Sequence, residues 1–169
     1  MPGNPLPDAE QLLQALIKKM RSAVGPETGL IGIHTGGVWI AERLHSALNL
    51  KIPLAAIDVS FYRDDYQSRG LRPDVQRSDI PFEVEERDLV LVDDVLYTGR
   101  TIRAALNEIF DYGRPGRVQL AALVDRGGRH LPIAADFLGA AVTLTPGESL
   151  ELTRDSKGRF AFVLHEDKP

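Results

Sequence analysis

The apolar run Leu89-Val90-Leu91-Val92 ends in two adjacent acids, Asp93 and Asp94. Val95-Leu96-Tyr97 then leads into Thr98-Gly99-Arg100-Thr101, and Ile102, Ala105, Leu106, Ile109 and Phe110 follow at helical spacing. A run that is apolar at every position suits a strand covered on both faces, as in a parallel sheet. Ligands of such sheets bind at the carboxyl ends of the strands. The helix that follows offers unpaired N–H groups and a favourable dipole to an anion. Gly99 lets the backbone approach closely, and the Thr98 and Thr101 hydroxyls can donate. The loop is therefore suited to a dianion. Asp93 and Asp94 cannot serve that same anion, because like charges repel; they suit hydroxyl groups or a divalent metal a few ångströms away. A sugar phosphate meets both demands. Two acids alone could equally cap the next helix, and it is the attached Thr-Gly-Arg-Thr loop that favours a ligand. No G-x-x-x-x-G-K-[ST] loop is present.

The remaining pattern alternates strands and helices. Asp8 is placed to cap a first helix, with Gln11 at the capping-box position. Leu12, Leu13, Leu16, Ile17 and Met20 form its apolar face, and Gly25-Pro26 is expected to end it. Leu30–His34 reads as a buried strand and Gly36-Gly37 as a turn. Ile40, Ala41, Leu44 and Leu48 mark a second helix. Strands are expected at 54–59, 89–92 and 118–124. The result is an α/β fold with a mainly parallel, twisted sheet flanked by helices. Residues 60–87 form a long polar stretch rich in Arg and Asp, as expected of a flexible hood or lid. Leu150–Arg154 and Arg159–Leu164 flank Asp155-Ser156-Lys157-Gly158 and read as a C-terminal β-hairpin. The whole chain, 1–169, reads as one domain with a loose tail at 1–7.

Charge and composition narrow the class. The net charge of -4 argues against a protein that lives by non-specific nucleic-acid binding. No apolar run approaches the ~20 residues that span a bilayer, so no membrane partner is expected. The chain has no cysteine, which excludes disulfides and thiolate metal sites and is compatible with the cytoplasm. His34, His45, His130 and His165 lack helix-face metal spacing, so no zinc site is expected. His45 reads as a helix-surface residue and Trp39 as packing at a helix start.

The run Val90, Leu91, Val92, Asp93, Asp94, Val95, Leu96, Tyr97, Thr98, Gly99, Arg100, Thr101, Ile102 resembles the phosphoribosyl pyrophosphate (PRPP) signature of type I phosphoribosyltransferases. Gly32-Ile33-His34-Thr35-Gly36-Gly37 is similar to the pyrophosphate loop of that superfamily. Asp58-Val59-Ser60-Phe61-Tyr62-Arg63-Asp64-Asp65 resembles the opening of its hood. Leu123-Val124-Asp125-Arg126-Gly127-Gly128-Arg129, followed by Leu131-Pro132-Ile133, resembles its base-binding segment. Together, in order over roughly residues 8–164, these are similar to the PyrR family of pyrimidine-operon regulators and uracil phosphoribosyltransferases.

The resemblance implies a type I phosphoribosyltransferase fold and transfer of the phosphoribosyl group of PRPP to uracil, giving UMP and pyrophosphate. It implies that Thr98–Thr101 bind the 5-phosphate and that Asp93 and Asp94 bind the ribose hydroxyls. Thr35, Gly36 and Gly37 would hold the pyrophosphate, and Val124, Asp125 and Arg126 the uracil. Arg63 is the catalytic candidate of the hood, which also offers Tyr62, Arg69, Arg72 and Arg77. Mg²⁺ would be bridged by substrate rather than caged by side chains. A homodimer or higher homo-oligomer is expected. The chain departs from the Thr-Arg-Gly pattern of many members, carrying Thr35-Gly36-Gly37, so a cation over the leaving group must come from elsewhere. A leader mRNA is a second partner implied by the family, with Lys18, Lys19, Arg21 and Arg129 as candidate contacts, whereas Ala134 stands where arginine is common. A regulator that only senses UMP or PRPP is the alternative to an enzyme. A phosphoryl-accepting receiver domain is a third reading, which the Thr-Gly-Arg-Thr loop disfavours.

Overall fold

The computed structural model describes residues 5–59 and 78–167. Arg63, Tyr62, Arg69, Arg72 and Arg77 lie outside the described residues.

Asp8 caps the first helix as expected: its carboxylate accepts from the amides of Glu10 at 3.0 Å and Gln11 at 3.1 Å. The helix, α1, runs Ala9–Arg21 and stops four residues short of the Gly25-Pro26 pair expected to end it. There follow β1 (Gly29–Ile33), α2 (Gly36–Ala47), β2 (Ala55–Ile57), β3 (Asp88–Leu96), α3 (Arg100–Tyr112), β4 (Arg117–Asp125) and β5 (Phe137–Ala141). The five strands form one parallel sheet in the order β2-β1-β3-β4-β5. A separate antiparallel pair, β6 (Glu148–Arg154) and β7 (Phe160–Glu166), is the expected C-terminal hairpin.

Alternation along the strands divides the core into two layers. Leu30, Val90, Val92, Ala121 and Leu123 pack with Leu13, Leu16, Met20, Ile40 and Leu44 of α1 and α2. Ile31, Ile33, Leu89, Leu91, Leu120 and Ala122 pack with Ile102, Ala105 and Ile109 of α3. The expected stripe of α3 is corrected at its end, since Phe110 is 56% exposed. It follows Ile109 by one residue, about 100° around the helix, and so falls off the buried face.

The hairpin is fastened to the first layer. Leu150, Leu152, Phe160 and Phe162 join that core. Glu10 accepts from Arg43 Nη2 at 2.9 Å and from the Phe160 amide at 2.9 Å. Arg43 also lies over the Phe160 ring, and Arg154 over Trp39. The Arg43 guanidinium holds the Glu10 carboxyl below its ordinary value of 4.5, against the upward push of burial. A carboxyl lowered on folding stabilises the fold above its unfolded pKa, and that contribution disappears as the pH falls through the folded value. Glu10→Gln is therefore expected to destabilise the protein by about 1 kcal/mol at neutral pH, the half-exposed Arg43 limiting the effect. The gap in Tm between variant and wild type should shrink below pH 4.5. Thermal melts between pH 3 and 7 check this.

Candidate active site

The cavity at the carboxyl ends of β1 and β3 is built from three segments that the sequence pattern picked out and one that it did not. Its volume is about 540 Å³. Thr35 and Gly36, at the start of α2, form one side. Asp93–Gly99, Thr101 and Ile102, from the end of β3 into α3, form the floor. Arg126, just past β4, forms another side. The fourth wall comes from Gly147–Leu152, His165 and Asp167 of the hairpin, with Trp39 between. No local pattern marks these hairpin residues, because their place depends on tertiary docking alone.

β3 continues past the expected end at Val92 to Leu96, so the acids lie within the strand. Val92 and Val95 both pack against the first core layer, while Leu91 and Leu96 belong to the second. The period of two thus slips at the acid pair. In a regular strand two neighbours would point to opposite faces, yet at the carboxyl end of the sheet both Asp93 and Asp94 line one cavity. Asp93 is 3% exposed, and its Oδ1 accepts the Asp94 amide at 2.9 Å. Asp94 is half-buried, and its Oδ1 accepts the Val95 amide at 2.8 Å. Its Oδ2 lies against Gly36, in the space a Cβ there would take.

The loop between β3 and α3 has the geometry of an anion cradle. Gly99, the helix N-cap, adopts φ 93° with no side-chain cap. Thr98 is buried, and its hydroxyl accepts from the Arg100 amide at 3.2 Å. The amides of Thr101 and Ile102, in the first helical turn, have no carbonyl within the helix to bond. Gly99→Ala combines a left-handed backbone with a Cβ 3.0 Å from Ile133 Cγ1. We expect it to cost about 1–2 kcal/mol of stability and to weaken ribose 5-phosphate binding by about tenfold, read by calorimetry.

α2 begins at Gly36, so the expected turn is instead the first turn of a helix with Thr35 at its N-cap. The His34–Thr35 peptide is cis. Gly37 is buried beneath the Val92 carbonyl and does not face the cavity. Val90, Leu91 and Val92 are core residues below the floor, and Arg100 is exposed beyond it. Val124 is buried in the sheet. The Asp125 carboxylate is turned to Arg129 Nη2 at 2.6 Å and the Gly127 amide at 2.9 Å. Burial pushes the Asp125 carboxyl upward, but these two donors outweigh it and leave the group below its ordinary value. Of the three expected base contacts, Arg126 alone lines the cavity. Its guanidinium covers the Tyr97 ring at 3.9 Å and donates from Nη2 to the Glu148 carbonyl at 2.9 Å, while its buried Nε has no acceptor among the described residues.

The cations expected to face RNA are partly engaged. Lys19 Nζ donates to the Leu138 carbonyl at 2.6 Å, and Arg129 is turned inward. His45 donates from Nε2 to the Ile52 carbonyl at 2.7 Å, and His165 pairs with Glu151 at the cavity mouth. Among the described residues no group of three or more His, Cys, Asp or Glu could hold a metal ion, and no helix is long and apolar enough to cross a membrane.

Residues 5–141 match the phosphoribosyl transferase domain family. The bifunctional protein PyrR of Nitrosococcus oceani is 53% identical over 144 residues, covering 84% of this chain and 81% of its own. That of Ralstonia nicotianae is 50% identical over 163 residues, covering 92% and 93%. The chain belongs to the PyrR family. Its fold extends to more distant phosphoribosyltransferases. A purine phosphoribosyltransferase from Pyrococcus horikoshii is 28% identical with a TM-score of 0.62, covering 79% of this chain and 82% of its own. A hypoxanthine-guanine phosphoribosyltransferase from Bacillus anthracis, 18% identical with a TM-score of 0.64 and 86% of each chain covered, shares the fold. Against this background the PyrR-type chain carries the type I phosphoribosyltransferase fold: a parallel five-stranded sheet between helices, with an appended hairpin.

Proposed function

We propose that this protein transfers the phosphoribosyl group of PRPP to uracil, releasing pyrophosphate and giving UMP. The observation that carries the reading is the meeting, in one cavity, of the Thr98–Thr101 anion cradle, the acids Asp93 and Asp94, and the start of α2 at Thr35 and Gly36. The cradle takes the 5-phosphate, the acids take the ribose hydroxyls, and Thr35 and Gly36 lie beside the pyrophosphate. Arg126, over Tyr97, faces the uracil. Displacement at an anomeric carbon develops oxocarbenium-like positive charge, as at glycosidic centres. Carboxylates held nearby stabilise that charge without reorganising. No covalent enzyme intermediate is required.

The donor set also fits Mg²⁺. Asp93 and Asp94, adjacent on the cavity floor, are hard oxygen ligands suited to an ion that keeps water and substrate oxygens around it. Asp93 and Asp94 would hold it through the ribose hydroxyls or water, and its chemistry is to neutralise charge on the leaving pyrophosphate.

The test is direct. Purified protein with PRPP, uracil and Mg²⁺ should form UMP, followed by chromatography. Absence of UMP under conditions where PRPP binds would reject the enzyme reading.

The bifunctional character named for these relatives favours a second activity, which we read as binding a leader mRNA in response to UMP. Such binding should weaken steeply with salt. Titration of leader RNA with and without UMP decides it, and a shift-free titration rejects it. A homodimer is the assembly we expect for that surface, and sedimentation reads it.

A further inference from the structure

The segment after β4 is folded tightly around the residues that precede the anion cradle. The Arg126 amide donates to the Leu96 carbonyl at 3.0 Å, and the amides of His130 and Leu131 donate to the Thr98 carbonyl at 2.9 and 3.1 Å. Gly128, at φ 78°, lies so close to the Tyr97 ring that a Cβ would come within 2.5 Å of Cε2. The Arg126 guanidinium covers that ring. Tyr97 is thus covered on one face by the segment that carries Arg126, while 38% of it stays exposed.

One side chain ties this wrap together. Arg129 donates from Nη1 to the Tyr97 carbonyl at 2.5 Å, from Nη2 to Asp125 Oδ2 at 2.6 Å and from Nε to the Ile133 carbonyl at 2.6 Å. Its side chain is only 23% exposed. The three acceptors belong to three places: the loop after β3, the end of β4, and the far end of the wrapping segment. A planar guanidinium presents donors in a fixed fork that reaches all three, whereas a lysine ammonium is a single point on a flexible stem. Arg129 does not line the cavity, so it acts through its neighbours.

We propose that Arg129 is a positioning residue that locks residues 126–131, and Arg126 with them, onto the phosphate-binding loop, so that occupancy of the phosphate side orders the base side. The kinetic part of the test rests on the phosphoribosyl transfer proposed above; the exchange part does not.

The comparison is between Arg129→Ala, Arg129→Lys and a control, Arg87→Ala. Arg87 donates to the carbonyls of Glu83 at 2.7 Å and Glu27 at 3.0 Å and covers the Phe82 ring, at the amino ends of β1 and β3 and so at the opposite end of the strands from the cavity. Arg129→Ala should raise KM for uracil by about tenfold or more, with KM for PRPP changed by less than about twofold. Arg129→Lys should fall between. Arg87→Ala should lower Tm and leave both KM values in place. In wild-type protein, ribose 5-phosphate should slow amide exchange at His130 and Leu131, and Arg129→Ala should abolish that protection. The proposal is overturned if Arg129→Ala lowers Tm but leaves uracil KM unchanged, if Arg87→Ala shifts uracil KM equally, or if ribose 5-phosphate gives wild type no protection at these amides. Wild-type protein that makes no UMP yet shows the protection would sink uracil transfer and leave the clasp standing.

Discussion

Asp94→Asn is expected to lower kcat/KM for UMP formation by on the order of 10²-fold, and Asp93→Asn/Asp94→Asn to lower it further. The substitution keeps the shape of the side chain. The amide oxygen can still accept from the Val95 N–H, as Asp94 Oδ1 does at 2.8 Å. What is lost is the charge facing the cavity. If the acids answer positive charge at the anomeric carbon, the loss falls on kcat, because ground-state PRPP carries no such charge. PRPP binding measured by calorimetry should weaken by less than kcat falls, because the acids also take the ribose hydroxyls in the ground state, and Tm should stay within about 2 °C. Steady-state assays with both substrates separate the effects. A double variant turning over at the wild-type rate would remove the acids from the chemistry.

The second large effect comes from a methyl group. In Gly36→Ala the new Cβ would overlap Asp94 Oδ2 and stand 2.8 Å from its Cγ and 3.1 Å from its Cβ. The Asp94 side chain must swing away, since its own strand is fixed between β1 and β4. Misplacing a catalytic group by about 1 Å can cost on the order of 10²-fold in rate, and we expect a kcat loss of about 10–10². Stability should move the other way. Gly36 is the first residue of α2, and alanine is a better helix former by up to about 1 kcal/mol. A variant that is as stable as wild type or more so, yet much slower, would locate the defect at Asp94. Retained kcat would mean that the Asp94 position is immaterial. The same crowding bears on the Thr-Arg-Gly pattern of other members: an arginine at position 36 and the Asp94 rotamer seen here exclude each other.

Local rules carried much of the fold. The Asp8 cap and the apolar spacing of α1 mark a helix without tertiary information, and Leu89–Val92 marks a doubly covered strand. Where reading failed, a neighbour overrode propensity. Asp is depleted in strands, yet β3 runs through Asp93 and Asp94 because pairing with β4 persists to Leu96. β5 went unforeseen. Phe137-Leu138-Gly139-Ala140-Ala141 has no β-branched residue, and it is a strand because β4 offers a partner edge and Gly139 fits under the Leu123 carbonyl. At the site, the cradle and acids were legible from residue type and order. Arg129 was not: its sequence context suggests a surface cation, and only the approach of Tyr97, Asp125 and Ile133 turns it inward. The role of the hairpin as a cavity wall was equally hidden.

That last wall has an evolutionary corollary. The anion cradle and the acids are products of the sheet itself, while Gly147–Leu152 face them from a ribbon attached to the first core layer and to Glu10. Substitutions along the ribbon can resize the cavity opposite Asp93 and Asp94 without disturbing strand register or helix ends. If the cavity holds its substrates as proposed, such a partition lets a lineage exchange one acceptor ring for another while the residues facing the activated sugar stay intact.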